Sequence, residues 1–286
     1  MRTPEQLKGQ IRYFAQKHNL MSQEVLQMYL FERVLERLSL SMYKDNFILK
    51  GGVLISSILG IYERTTMDMD TTVTGITMKD KEISDAIKNI LSIDVGDGIV
   101  FNFIKLEPIR EDDDYNNFRA SFNAIFGKIC NPMKLDITTG DKITPAAIDY
   151  SYHCIMDDKT IAIKAYNIET IIAEKYETII RRNISTSRAR DFYDLSRIFN
   201  LYKDCINQPF LRWAVKNTSI KRGSSKELDE WKDICTEMSE DEALRELWNN
   251  YIRTNEYANT LSFEEVIESV EDVGNFINNE LHIDNR

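Results

Sequence analysis

Apolar residues recur with different spacings along this chain, and the spacing predicts where helices and strands lie. Over residues 4–43 they recur every three or four positions, as in the run from Val25 to Leu38, which predicts two helices. From Phe47 onward, shorter apolar runs predict strands. From Asn167 to the end the spacing is helical again, with breaks at residues 183–187, 208–209 and 220–225.

The middle of the chain is predicted to form a sheet. Strand spacing occurs in seven runs: Phe47–Leu49, Met67–Val73, Ile99–Ile109, Phe118–Phe126, Met133–Thr138, Tyr150–Ile155 and Thr160–Lys164. Helical spacing separates the first three runs at Val53–Leu59, which Gly60 can end, and at Lys79–Leu91. The polar segment Arg110–Asn117, with its run of acids, is interpreted as a solvated loop.

A sheet with helices on both sides of it in the sequence predicts an α+β fold. We expect residues 1–165 to form the sheet core together with the N-terminal helices. Residues 166–286 are expected to form a separate C-terminal helical domain. At 286 residues, the chain is long enough for each part to bury a core.

Composition is that of an ordinary globular protein, with 43% hydrophobic and 29% charged residues. The N-terminus lacks the apolar run of a signal peptide, and no segment approaches the roughly 20 apolar residues that span a bilayer. Four cysteines are scattered without the C-x-x-C spacing of a zinc or redox site. We therefore expect a cytoplasmic protein without a membrane partner.

Charge is distributed unevenly. The whole chain carries a net charge of −10. Residues 171–226 contain twelve Lys and Arg against five Asp and Glu, a local balance of +7, whereas residues 227–286 contain four against seventeen, a balance of −13. A basic segment in an acidic protein can bind a phosphate backbone or a triphosphate, although a solvated helix face is the simpler explanation.

Two acids stand out in the second predicted strand. Asp68 and Asp70 are two residues apart, so on a strand their carboxylates project from the same face, opposite Met67 and Met69. Crowded carboxylates repel each other unless a cation lies between them. Mg²⁺ fits because it prefers oxygen ligands and binds through carboxylates and substrate phosphates. The alternative is that both acids are simply solvated.

A third acid, Asp136, lies in the apolar run Met133–Thr138, although aspartate is depleted in strands. The same alternation turns Asp136 away from the core. If this strand lies beside Asp68 and Asp70, the three acids form a metal site of the two-ion type.

A glycine pair precedes the first predicted helix. Gly51 and Gly52 have no side chains, so their backbone can approach triphosphate oxygens closely, and the N-terminus of the following helix attracts anions. Lys50 and Ser56 are candidate phosphate contacts on either side. A glycine pair is also common in plain turns.

Two charged residues lie on apolar helix faces in the C-terminal half. Lys175 interrupts the stripe formed by Ile168, Ile172 and Ile179, and Asp191 shares a face with Leu195 and Ile198. A buried acid usually has a partner, which Lys175 or a nearby arginine could supply. Lys175 could instead extend to solvent, or contact a phosphate, and the pair could be purely structural.

Four sequence blocks, in the same order, resemble the AbiEii/AbiGii toxin family, which includes the MenT toxins. The blocks are KGG at 50–52, RTTMDMD at 64–70, KLDIT at 134–138, and EK at 174–175 followed by RARDFYDL at 188–195. The resemblance covers about residues 45–200. Gly52 departs from the wider superfamily, which often has serine there.

This family consists of nucleotidyltransferase-like toxins of bacterial toxin–antitoxin and abortive phage-infection systems. The resemblance implies a nucleotidyltransferase-like mixed sheet and transfer of a nucleoside monophosphate from an NTP, with Mg²⁺, to a hydroxyl, the 3′ end of tRNA being favoured. It also implies an antitoxin encoded beside this protein, a toxin that arrests growth, and a role in antiviral defence.

The resemblance assigns roles to particular residues as well. Asp68 and Asp70 would hold the metal, and Asp136 would complete the site and help to activate the hydroxyl. Lys175 and Asp191 correspond to the lysine and aspartate of the later block. Lys175, together with Arg64, would neutralise charge on the triphosphate.

Three other functions remain open from the sequence. A small-molecule nucleotidyltransferase, such as an antibiotic-modifying enzyme, would share the Gly-Gly and Asp-x-Asp elements. A degenerate module could bind a nucleotide or a partner protein without catalysis, although it would not need three crowded acids. A metal nuclease is disfavoured because no strand carries the D/E-x-K pattern beside a separate upstream acid.

Overall fold

The computed structural model describes residues 3–77, 79–109 and 117–279, which form two compact units. The first, here called the sheet unit, contains the chain up to Asp141 together with Ala147–Tyr166. The second, the helical unit, contains Lys142–Ala146 and the chain from Asn167 onward. The acidic run expected to form a solvated loop, residues 111–114, lies outside the described residues.

Seven strands form one mixed sheet in the described part of the sheet unit. They are β1 (Phe47–Lys50), β2 (Met69–Val73), β3 (Val100–Ile109), β4 (Asn117–Phe126), β5 (Ile129–Thr139), β6 (Ile148–His153) and β7 (Thr160–Ala165). Their spatial order is β3-β4-β5-β2-β1-β7-β6. The β2–β5 and β1–β7 pairs are parallel, and the other neighbours are antiparallel.

Helices of the sheet unit cover the apolar side of this sheet. They are α1 (Pro4–Lys17), α2 (Ser22–Leu40), α3 (Gly51–Leu59) and α4 (Asp80–Ser92). Helix α1 begins with a capping box, in which Thr3 and Gln6 exchange hydrogen bonds. Most of α2 is buried, so it forms part of the core rather than an amphipathic surface helix.

Burial along β5 alternates as its sequence predicts. Met133, Leu135 and Ile137 are buried, whereas Lys134 is exposed and Asp136 half-buried. Because successive side chains point to opposite faces, one face of the strand packs on the core and the other remains accessible. The candidate acids lie on the accessible face.

The short segment β1–α3–β2 contains most of the candidate residues. Strand β1 leads directly into α3, which Gly60 ends with a φ of +96°, as predicted. Strand β2 begins at Met69, two residues later than expected, so Asp68 precedes the strand. Of the two methionines expected on the face opposite the acids, Met69 is buried, whereas Met67 precedes the strand and its side chain is 44% exposed.

The described part of the helical unit contains seven α-helices. They are α5 (Ile168–Arg182), α6 (Ala189–Tyr202), α7 (Gln208–Arg222), α8 (Ser225–Asp229), α9 (Trp231–Glu240), α10 (Glu242–Thr254) and α11 (Phe263–Asn278). Buried Glu177 of α5 accepts hydrogen bonds from Arg222 of α7 at 2.5 Å and from Ser224 at 2.7 Å. The predicted α+β class, with N-terminal helices, a mixed sheet and a helical C-terminal part, is confirmed.

Candidate active site

Five charged residues form a row across the accessible face of the sheet. In the strand register, Glu107 of β3 lies opposite Arg119 of β4, Arg119 lies opposite Asp136 of β5, Asp136 lies opposite Asp70 of β2, and Asp70 lies opposite Lys50 of β1. Directly opposed residues on neighbouring strands share a face and bring their Cβ atoms within about 5.5 Å. The prediction that Asp70 and Asp136 lie on neighbouring strands is therefore confirmed.

Gly51 lies directly against the carboxylate of Asp70. Its φ is +62°, and a Cβ at this position would lie 2.1 Å from Asp70 Oδ2. A Cβ on Gly52 would lie 2.5 Å from Thr66 Oγ1. Both glycines are thus required by close packing inside the site, Gly51 against an acid and Gly52 against the loop that leads to it.

The loop before β2 is held by hydrogen bonds to its own backbone and to α2. Thr66 Oγ1 donates to the Asp68 carbonyl oxygen at 3.1 Å. Thr65 Oγ1 donates to Glu24 Oε1 of α2 at 2.7 Å. Thr65 and Thr66 are buried, whereas Asp68 is exposed. The side chain of Asp68 is therefore presented to solvent on a fixed backbone.

Asp136 has a partner that the sequence interpretation did not assign to it. Arg119 donates from Nε to Asp136 Oδ1 and from Nη2 to Oδ2, both at 2.7 Å. This bidentate geometry is the strongest form of the Arg–carboxylate pair. The hydrogen bonds from Arg119 to Asp136 raise the pKa of the guanidinium above its usual value, and the Asp68 charge contributes to the rise.

Within residues 3–77, 79–109 and 117–279, no three His, Cys, Asp or Glu side chains converge in an arrangement that could hold a metal ion. Asp68, Asp70 and Asp136 therefore do not form such a group in the described residues, and Asp136 pairs with Arg119 instead. Asp68 and Asp70 still offer the hard oxygen donors that Mg²⁺ prefers, and two carboxylates suffice when substrate phosphates complete the shell.

Lys50 belongs to a second cluster, centred on Asp141. Asp141 Oδ2 accepts from Lys50 Nζ at 2.6 Å, from Thr138 Oγ1 at 2.7 Å and from the Tyr166 hydroxyl at 3.0 Å. Thr72 Oγ1 also donates to this oxygen. The side chain of Asp141 is only 8% exposed. Asp141 was missed in the sequence because it follows a glycine in a polar segment typical of a turn.

The structure argues against two of the candidate phosphate contacts. Ser56 is 2% exposed, and its hydroxyl donates to the Arg64 carbonyl oxygen at 2.5 Å. Arg64 is also 2% exposed, and its Nη1 donates to the Thr65 carbonyl oxygen. Both side chains therefore support the loop between α3 and β2, and neither is presented to solvent.

In the helical unit, the predicted partnership between Lys175 and Asp191 is confirmed. Lys175 Nζ lies 2.5 Å from Asp191 Oδ1 and 2.9 Å from Asp194 Oδ2. Arg188 Nε approaches the other oxygen of Asp191 at 3.0 Å. Asp194, which is fully buried, was missed, although it stands three residues after Asp191 and so lies on the same side of α6. The catalytic roles of Lys175 and Asp191 stay predictions.

Comparison with protein families decides the identity of the chain. The sequence model of the family described as "Nucleotidyl transferase AbiEii toxin, Type IV TA system" matches residues 33–269. The chain belongs to this AbiEii family. The match includes every candidate residue described above, and it extends beyond the predicted resemblance of about residues 45–200. The predicted family is confirmed.

Solved structures similar to this AbiEii protein are distant in sequence. JHP933 from Helicobacter pylori is 17% identical, with a TM-score of 0.49, over 90% of this chain and 94% of that one. An antigenic nucleotidyltransferase-like protein from Paracoccidioides brasiliensis is 14% identical, with a TM-score of 0.41, over 71% of this chain and 92% of that one. No curated protein matches the chain.

A membrane-spanning helix is not found in the described part of this AbiEii protein. No helix there is both long enough and apolar enough to cross a bilayer. The longest, α2, has 19 residues but carries several charged side chains.

Proposed function

We propose that this AbiEii protein is a bacterial toxin that transfers a nucleoside monophosphate from an NTP to an acceptor hydroxyl, with the 3′ end of tRNA as the favoured acceptor. The observation that carries the proposal is Asp70, which packs on Gly51 and lies in register between Lys50 and Asp136. An acid beside a glycine turn and two neighbouring charges is suited to a metal-bound triphosphate.

Asp68 and Asp70 would hold the Mg²⁺ that accompanies the NTP. Their carboxylates supply hard oxygen donors, Asp68 being exposed and Asp70 half-buried. When bound, the ion would neutralise negative charge on the phosphates. Lys50, at the start of α3, adds a fixed positive charge beside Asp70.

The reaction forms a bond from the acceptor oxygen to the α-phosphorus and breaks the bond from that phosphorus to the bridging oxygen of pyrophosphate. The hydroxyl proton leaves with a base. The chain's own contribution is to hold the triphosphate in line with the acceptor and to compensate charge, which are the main catalytic factors in phosphoryl transfer. We propose that the sheet unit supplies the acids for this step.

The distribution of charge supports an RNA acceptor. The local balance of +7 over residues 171–226 lies in the helical unit, and Arg188, Arg190 and Lys216 are exposed there. Exposed Lys and Arg supply the sequence-independent part of RNA binding. Because the family is that of a Type IV toxin–antitoxin system, we also propose a cognate antitoxin, action in the cytoplasm, and growth arrest during phage infection.

Transfer can be tested with the purified full chain, Mg²⁺, total tRNA and each of the four α-labelled NTPs in turn. We expect label in RNA with at least one NTP. Asp70→Asn keeps the size of the side chain but removes its charge, and should reduce labelling at least about a hundredfold. Asp158→Asn, at an exposed turn position, is the matched control and should label normally.

Each other outcome identifies a different function. Label in a small molecule but not in RNA indicates a small-molecule nucleotidyltransferase. NTP binding without turnover indicates a non-catalytic module. In cells, expression of the native chain should arrest growth and the Asp68→Ala variant should not. Equal arrest by both would show that the toxicity does not depend on the acids.

A further inference from the structure

Asp136 and Arg119 form a pair that is built into the sheet. They are opposed in the antiparallel β4–β5 register, and the hairpin that joins these strands continues in register to Phe126 and Ile129. Both carboxylate oxygens of Asp136 accept hydrogen bonds from the same guanidinium. The pair is therefore a consequence of strand pairing rather than of a mobile surface contact.

The ion pair between Arg119 and Asp136 is partly shielded from solvent. The side chains of Asp136 and Arg119 are 18% and 34% exposed, which is less than is typical of a surface ion pair. Arginine keeps its charge at every accessible pH, and its planar fork matches a carboxylate better than any other cationic side chain. A metal ion that coordinated Asp136 would have to share the carboxylate with this guanidinium and would lie beside its positive charge.

The neighbouring acids lie next to this pair. Asp70 is opposite Asp136 across β2 and β5, and the Asp68 charge also acts on Arg119. Within the row, Asp136 and Asp70 lie between two cationic residues, Arg119 and Lys50, and Glu107 lies on the other side of Arg119. Side-chain charge already compensates Asp136, whereas Asp68 has an exposed carboxylate.

We propose that Arg119 takes the place of a second metal ion, so that Asp136 is excluded from metal coordination and the site holds a single divalent cation on Asp68 and Asp70. The binding of a divalent cation by Asp68 and Asp70 rests on the proposed function. Arg119 acts here as a positioning residue through Asp136. This one-ion site differs from the three-acid, two-ion centre that the sequence predicts, because in that centre Asp136 is a metal ligand.

The number of bound ions tests the proposal without any substrate. The full-length chain is titrated with Mn²⁺ as the probe, and bound ions are counted by electron paramagnetic resonance. We expect one ion per native chain. Arg119→Ala should leave Asp136 and Asp70 side by side without the guanidinium, and should therefore bind two ions. Arg119→Lys, which keeps a positive charge, should bind one.

Two further variants connect the extra ion to Asp136 itself. The double variant Arg119→Ala with Asp136→Asn should return to one ion, because the additional ligand is gone. Lys81→Ala removes an exposed positive charge from α4, away from the row, and is the matched control for net charge, so it should bind one ion. Circular dichroism melting of each variant verifies that it is folded.

The proposal is overturned if the native chain binds no ion, if it binds two ions and Asp136→Asn binds one, or if Arg119→Ala is folded and gains no ion. These results do not depend on an NTP or an acceptor. A failure here is therefore distinguishable from a failure of nucleotidyl transfer, which is measured by RNA labelling with Mg²⁺ and NTP.

Discussion

At the scale of single residues, the structure gives the glycine pair a more specific role than the sequence alone suggests. The positive φ of Gly51, and the Asp70 carboxylate at the position that a Cβ would occupy, leave no room for a side chain there. The sequence pattern assigned the glycines to the triphosphate, but the nearest atoms belong to Asp70 and Thr66. The close packing of Gly51 against Asp70 orients the Asp70 carboxylate, independently of which ligand binds.

Gly51→Ala should therefore impair the site more than the size of a methyl group suggests. We expect a loss of unfolding free energy of about 1–3 kcal/mol from the left-handed backbone, and loss of transfer activity because Asp70 has to move. The measurements are urea unfolding and RNA labelling. Gly9→Ala is the matched control because Gly9 lies inside α1 with open space around it, and it should be neutral or slightly stabilising. Normal labelling by Gly51→Ala would contradict the proposed packing role.

At the scale of elements, Asp141 contacts residues from four different strands or their ends. Its contacts are Lys50 at the end of β1, Thr72 in β2, Thr138 near the end of β5, and Tyr166, directly after β7. Such a cluster joins internal strands of the sheet on the face that carries the candidate acids. Because its donors come from distant parts of the sequence, only the completed sheet brings them together.

Asp141→Asn should destabilise the sheet unit. The amide can still accept hydrogen bonds from the hydroxyl groups, but Lys50 loses its counter-charge in a largely buried place. We expect a loss of about 3 kcal/mol in unfolding free energy, measured by urea denaturation. Asp149→Asn, which removes an exposed partner of Lys164 in the same sheet, should leave stability unchanged. Equal effects of the two substitutions would show that Asp141 is not a structural centre.

The elements also show what sequence spacing could and could not predict. Alternation of apolar residues was sufficient to predict the strands and the inward faces of α5 and α6, because these are local properties. The Arg119–Asp136 pair depends on register, which spacing alone does not define. The predicted strand also began at Met133, whereas β5 begins at Ile129, and only this earlier start gives the two-residue turn at 127–128 that places Arg119 opposite Asp136. The Asp141 cluster had no local signal in the sequence.

At the scale of the whole molecule, the sheet unit contains a buried acid far in sequence from the candidate site. Glu32 of α2 is fully buried, and its Oε1 accepts a hydrogen bond from the Ile155 amide at 2.6 Å. Its other oxygen has no hydrogen-bond partner among the described residues. Burial raises the pKa of Glu32 to about 8. The neutral acid is therefore the form that the fold accommodates best.

This pKa predicts how stability depends on pH. Between the ordinary glutamate pKa of about 4.5 and the folded value of about 8, the folded chain binds one more proton at Glu32 than the unfolded chain does. Unfolding free energy should therefore fall as the pH rises through this window, and Glu32→Gln, which mimics the neutral acid, should remove that part of the fall. Thermal melting at a series of pH values measures the effect. Glu82→Gln, at an exposed position of α4, is the matched control and should follow the native curve. If Glu32→Gln also follows that curve, Glu32 does not carry the proton in the folded state.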